Sequence, residues 1–423
     1  MSVPETPLVA GPAGEAPARR RRRIPLWAAP VGFVVILAFL SLMALVTDSP
    51  DLTSSGALRA SLFATAPILL AGLGGLWSER AGVVNIGLEG MLILGTFGGA
   101  YAAFNYGAWA GVVGGILFGA IGGLIHAIAT VGFGVDHIVS GVAINIIALG
   151  AVQYLAAVTF GAREGGSATQ SPNLPELPDI KIGFIADPLG DLEGKDIFFV
   201  SDLAAVGRAL TNGLPWLVVI TLGLVVATWW LLWRTAFGLR LRSCGESPAA
   251  AESLGVNVLL YKYSAVMISG GLAGLGGCFL AMESSSSYRD GQTGGRGYIG
   301  LAAMIFGNWR PGGLLAGSGL FGYTETLGLR SGQTSVHALL LAIAVLALVF
   351  AALQAYRRNL VTAVVMAVLG VLVGLVYFLT DEVPGDFTRM TPYVITLLVL
   401  AFAAQRLRMP AADGQVYRKG SAG

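Results

Sequence analysis

The sequence of 423 residues predicts an all-α, polytopic transmembrane helix bundle of about 10–12 spans. Three observations carry this. The chain is 55% hydrophobic and only 12% charged, where soluble domains carry about a quarter charged residues. Apolar runs of roughly 20 residues, the length a helix needs to cross a bilayer, recur along it. It holds 60 glycines, and Gly111, Gly115, Gly119 and Gly123 fall every four residues. That row lines one helix face with hydrogen atoms and lets a second helix approach closely.

Residues 1–18 are rich in Pro, Ala, Gly and Glu and read as disordered. Arg19–Arg23 form an unbroken arginine run, followed by the apolar stretch 24–46. That stretch exceeds a signal-peptide core and no A-x-A site follows it. It reads as an uncleaved first span with its arginines on the cytoplasmic side. Residues 1–23 are therefore expected to be a cytoplasmic tail, 24–408 the transmembrane domain, and 409–423 a cytoplasmic C-terminal tail. Further spans are predicted near 57–77, 83–104, 108–131, 137–160, 214–233, 262–283, 337–355, 360–379 and 391–407. Between 298 and 327 two shorter apolar pieces flank Asn308-Trp309-Arg310-Pro311-Gly312-Gly313. They fit two short spans or one re-entrant hairpin, and either returns the chain to the same side.

Charge supports this threading. Segment 161–213 carries Glu164, Glu176, Asp179, Asp187, Asp191, Glu193, Asp196 and Asp202 against Arg163, Lys181, Lys195 and Arg208, and is read as extracytoplasmic. Segment 234–261, with Arg234, Arg240 and Arg242, is read as cytoplasmic by the positive-inside rule.

Catalytic signatures are missing from the sequence. Gly190-Asp-Leu-Glu-Gly194-Lys195-Asp196 imitates a phosphate loop but is one residue short and ends in Asp where Ser or Thr is needed. His126, His137 and His337 stand apart and suggest no metal site. Cys244 and Cys278 give no disulfide framework. The chain is not expected to be an enzyme.

The cytoplasmic segment is more informative. Gly245, Glu246, Ser247, Pro248, Ala249, Ala250, Ala251, Glu252, Ser253, Leu254 and Gly255 spell a short helix with marked ends. Ser247 suits the N-cap, Pro248 the first helical position, and Gly255 the stop. The residues alone fit equally an interfacial loop helix and a handle for a second protein. Gly238 to Val256 as a whole resembles the coupling loop of ABC-importer permeases of the sugar, nucleoside and branched-chain amino-acid group. Trp77-Ser-Glu-Arg-Ala-Gly-Val-Val-Asn-Ile-Gly-Leu-Glu-Gly-Met91 is similar to a segment of the nucleoside-type permeases, and Gly297–Gly313 to their late broken helix. The three segments lie in order, within a likeness over roughly 57–350 and the final span.

The resemblance implies a type II importer permease in a bacterial plasma membrane, with the N-terminus cytoplasmic. Its implied partners are a cytoplasmic ATPase, of the twin-cassette kind, which binds ATP and Mg itself, a second homologous permease and an external substrate-binding lipoprotein. A nucleoside-like solute is the first expectation, and no nucleic acid. Simple sugars or branched-chain amino acids are the alternative. An ion-coupled transporter using Glu89 is a further one.

The stretch Gly75–Met91 raises its own question. Glu79 and Arg80 are expected to sit hydrated at the end of one span. Asn85 and Glu89, four residues apart, are expected to share a face of the next helix. Glu89 then either bonds free backbone groups where a helix breaks or lines the solute path, and the structural role is favoured. Asn85, Glu89, Asn145, Gln153 and Asn308 are the pathway candidates, and each also fits as interhelical packing. Glu283 and Glu325 fall under the same ambiguity.

Overall fold

The computed structural model describes residues 28–330, 332–384, 388, 390, 394 and 407–420. The arginine run with residues 1–23, the start of the first span and most of the predicted span 391–407 lie outside the described residues. The chain enters as α1 (Ala28–Val46), α2 (Ser55–Arg80), α3 (Leu88–Tyr106), α4 (Ala108–Ala127) and α5 (His137–Phe160). Segment 161–213 is not a plain loop. It holds β1 (Asp179–Lys181), α6 (Gly183–Glu193), α7 (Val200–Thr211) and the start of β2 (Asn212–Pro215), with β1 and β2 antiparallel. Then follow α8 (Trp216–Arg234), α9 (Ala236–Glu246), α10 (Pro248–Ser253), α11 (Val258–Phe279), α12 (Arg296–Phe306), α13 (Pro311–Arg330), α14 (Gly332–Tyr356) and α15 (Leu360–Leu379).

Among the described residues, seven helical stretches are long and apolar enough to cross a membrane. They match the spans predicted from 57, 108, 137, 214, 262, 337 and 360. The ambiguous region resolves into the short α12 and the 20-residue α13.

The core lies where glycines let backbones meet. α11 is the central helix, packed between α2, α3 and α4. On α4, a Cβ at Gly119 would fall 2.2 Å from the Gly270 carbonyl oxygen; on α3, a Cβ at Gly95 would fall 2.1 Å from that of Gly274. Nothing larger than hydrogen fits either site. Van der Waals contact is the main attraction available between helices in lipid, so this closeness holds the core together. Gly119→Ala is expected to force α4 and α11 apart and cost about 1–3 kcal/mol. The check is thermal unfolding in detergent, with Gly223→Ala as control because no atom lies within 4 Å of its built Cβ. Equal melting of the two variants would refute the close-packing account.

One expectation fails here. The span predicted at 83–104 does not begin at 83, because α3 starts at Leu88. Asn85 therefore lies before the helix, and Asn85 and Glu89 do not share a helical face. Gly82, at φ +80°, breaks the helix, and residues 81–87 run irregularly inside the bundle. Bare backbone at that depth needs partners, and side chains supply them. Lys262 Nζ donates to the Gly82 carbonyl (3.1 Å), the Val84 amide donates to His137 Nδ1 (3.2 Å), and His126 Nε2 lies 3.0 Å from the Val84 carbonyl. Two of the three histidines that stand apart in the sequence thus meet at Val84, while His337 lies against Tyr377.

Candidate coupling face and broken-helix junction

Two places concentrate polar chemistry. At the end of the bundle that bears α9 and α10, Thr235 caps α9 by accepting from the Gly238 amide (3.1 Å). Gly245 closes α9 against the end of α2, where an added Cβ would sit 2.3 Å from the Arg80 carbonyl oxygen. The single helix predicted from Ser247 to Leu254 is shorter than expected. Gly245 and Glu246 finish α9, Ser247 is the hinge, Pro248 to Ser253 form α10, and Leu254 with Gly255 make the turn out. Ser247 holds the N-cap place but its hydroxyl makes no capping bond. Proline at the first helical position, which needs no N–H, starts the helix. Gly255 at φ +81° ends it, as glycine does at a C-terminus.

α10 has two distinct sides. Ala251 is buried against Cys244 and Val258, and burial pushes the Cys244 thiol up to about 11. Ala250, Ser253 and Leu254 face outward, and Leu254 is 84% exposed. Small residues lie beside one large apolar side chain on a helix fixed from behind.

Beneath it lies a cluster that the sequence misplaced. Glu79 and Arg80 are not hydrated: Glu79 is only 4% exposed, and the Arg80 side chain 13%. Arg80 donates from Nε and Nη2 to the Trp309 carbonyl (3.0 and 2.6 Å), and the Trp309 indole donates to Glu79 Oε2 (2.5 Å). The guanidinium groups of Arg80 and Arg242 also lie 5.4 and 5.5 Å from the Trp233 ring centroid, within cation–π range. Charges placed this deep need such partners.

The second place is the junction of α3, α5 and α12. Glu89 stands in the first turn of α3 and reaches across to the start of α12. Its Oε1 accepts from the Gly295 amide (3.0 Å) and its Oε2 from the Gly297 amide (2.7 Å). A helix start leaves its first N–H groups without partners and carries partial positive charge, so a carboxylate is well suited to it. Asn145, from α5, serves the start of α3 similarly. Its Oδ1 accepts from the Gly90 amide (2.7 Å), while its Nδ2 donates to the Ile86 carbonyl and the Tyr298 hydroxyl (3.1 and 2.9 Å). Asn85 donates to Ser269 (2.9 Å), and its buried Oδ1 has no hydrogen-bond partner. Arg296 pairs with Glu325 behind this site.

Asn85, Glu89 and Asn145 therefore converge. The other two candidates do not. Gln153 lies further along α5 and donates to Asp290 (2.8 Å), and Asn308 sits in the α12–α13 turn beside Trp309, accepting from the Arg408 amide (2.8 Å). Reading by sequence also passed over Tyr298, Ser269 and Lys262, which complete these networks. Their signal was a polar side chain within an apolar run. Among the described residues, no group of three or more His, Cys, Asp or Glu is placed to hold a metal ion.

A family model described as the permease component of branched-chain amino acid transport systems matches residues 57–349. The chain belongs to that permease family. This permease is 31% identical over 371 residues to a guanosine ABC transporter permease, NupQ, of Bacillus subtilis, covering 85% of this chain and 96% of the relative. It is 32% identical over 369 residues to a nucleoside ABC transporter permease, NupC, of Lactococcus lactis, covering 85% and 95%. A putative glucose ABC transporter permease, TsgC13, of Haloferax volcanii is 31% identical over 286 residues, covering 67% of this permease and 80% of the relative. No solved structure matches. The matched region contains both polar sites, and the permease is a multi-pass membrane protein and a transport subunit.

Proposed function

We propose that this permease is the membrane subunit of an ATP-driven ABC importer for nucleosides, lying in the bacterial plasma membrane with its N-terminus and α10 on the cytoplasmic side. A separate ATPase, which binds the ATP and magnesium, grips the outward face of α10. A second permease chain completes the bundle, and an external binding lipoprotein delivers solute to the side bearing α6 and α7. ATP-dependent closure of the ATPase displaces α10 and shifts the bundle between outward-open and inward-open states, each favoured by the partner that binds it better.

The observation that carries this reading is α10, a short helix anchored by Ala251 and presenting Ala250, Ser253 and Leu254 to a partner. The solute class is supported by the two nucleoside permeases, whose likeness runs nearly end to end. A sugar is the second reading, favoured by the glucose-type relative. Proton coupling through Glu89 is weighed against by its geometry, since both carboxylate oxygens already hold backbone N–H groups.

The experiment is uptake of labelled guanosine, glucose and leucine by cells with and without this chain, at fixed ATP, with and without a protonophore. Guanosine uptake that needs the chain and ATP but survives the protonophore is expected. Uptake that collapses with the proton gradient while ATP is held would overturn the importer reading, and glucose uptake alone would replace the solute.

A further inference from the structure

Residues 407–420 do not leave the bundle as a free tail. The Ala412 amide donates to the Gly245 carbonyl (2.9 Å), the Ala411 amide to Glu246 Oε2 (3.3 Å), and the Gly420 amide to Glu252 Oε1 (3.2 Å). Tyr417 packs on the cluster of Cys244, Ala251 and Val258 that anchors α10. From the same strip the Arg408 amide reaches Asn308 in the α12–α13 turn (2.8 Å). Ala412 closes on the chain just past α2, where a Cβ added at Gly82 would sit 3.1 Å from the Ala412 carbonyl oxygen, and Asp413 lies beside Glu79, which accepts from the Trp309 indole. One strip thus holds α9, α10, the end of α2 and the base of the broken pair α12–α13, whose far end Glu89 caps.

We propose that residues 407–420 are a positioning strap of the coupling apparatus, binding α9 and α10 to the end of α2 and to the α12–α13 turn so that displacement of α10 moves the broken pair. This rests on the reading of α10 as the ATPase contact. Without the strap, α10 reaches the turn indirectly, through α9 and the end of α2, where Gly245 packs on the Arg80 backbone, Glu246 makes a long contact with Arg80 (4.0 Å) and Arg80 donates to the Trp309 carbonyl. A push on α10 would then be absorbed by the hinge at Ser247.

Asp413 is the strap's polar pin. The Asp413 carboxyl is half-buried, its Oδ1 finds no hydrogen-bond partner, and burial pushes it well above its ordinary range. Glu79 and Arg80 from α2 and Lys262 from α11 face it. Because docking raises this pKa, the hold is complete below the ordinary carboxylate range and is lost as pH rises through the raised value. Asparagine at 413 imitates the protonated acid.

The test uses the full complex in liposomes, with uptake and solute-stimulated ATP hydrolysis measured together for Asp413→Ala, Asp413→Asn and a chain ending at Leu407. In the Ala variant and the shortened chain, the ATPase stays bound and hydrolyses ATP, while uptake per ATP falls about 5- to 150-fold, the usual span of coupling between sites. Asp413→Asn restores uptake and removes its decline at raised pH. Unchanged uptake per ATP in the shortened chain overturns the proposal, as does a parallel fall of hydrolysis and uptake, which would make the strap only a fold or docking element. Failure of the α10 reading shows separately, as normal uptake in a variant with a blocked α10 face.

Discussion

Ala250→Trp is expected to lower uptake at least tenfold, the equivalent of losing about 1.4 kcal/mol of docking, while the chain still inserts and the binding protein still takes solute. Ala250 is exposed on α10 beside Leu254, so a large ring there changes no contact within the bundle. What it changes is the shape of the face offered to the ATPase. The neighbouring Ala251→Trp separates the two kinds of damage. Ala251 is 2% exposed against Cys244 and Val258, so a ring there overpacks the anchor and lowers the melting temperature as well. Co-purification of the ATPase with each variant checks the cause. Normal uptake and normal ATPase recovery with Ala250→Trp would remove α10 from the coupling surface.

Much of this architecture was legible because lipid simplifies the code. A run of apolar residues long enough to span has few alternatives to a helix, so α2, α4, α5, α8, α11, α14 and α15 fall where the runs fall. The glycine row on α4 likewise declared a close helix contact, and the structure shows the partner to be α11. The misreadings came where backbone leaves the helix inside the bundle. Hydrophobicity cannot show that 81–87 is irregular, because its partners Lys262, His126 and His137 lie far along the chain. Glu79 and Arg80 looked hydrated because the end of a span usually meets water. Nothing in the local sequence announces that Trp309 and residues 407–420 fold over them. α9 was missed for a similar reason, since its helix is stabilised by Gly245 against α2 rather than by a strong pattern of its own. Glu89 was legible as a polar group out of place, but the partner that explains it, the start of α12, lies 206 residues away at Gly295.

Glu89 is where the second large effect is expected. Glu89→Ala leaves the Gly295 and Gly297 amides without acceptors inside the bundle, at about 1–3 kcal/mol for each buried donor. The start of α12 also loses the negative charge that complements its dipole. A loss of about 2–6 kcal/mol is a large part of the stability of an ordinary domain, so the Ala variant should melt far earlier in detergent and transport little. Glu89→Gln keeps one oxygen that can accept from one of the two amides. It should therefore be destabilised by roughly half as much and retain ATP-driven uptake. The pair of variants also divides the mechanisms. If a proton moved on and off this carboxyl during transport, the Gln variant would fold as well as predicted and yet carry no solute. If the carboxylate is instead a fixed cap that keeps the broken helix open against α3, the order of stability and the order of uptake will agree. Melting curves and uptake in the same membranes decide it, and an Ala variant as stable as the parent would refute the cap itself.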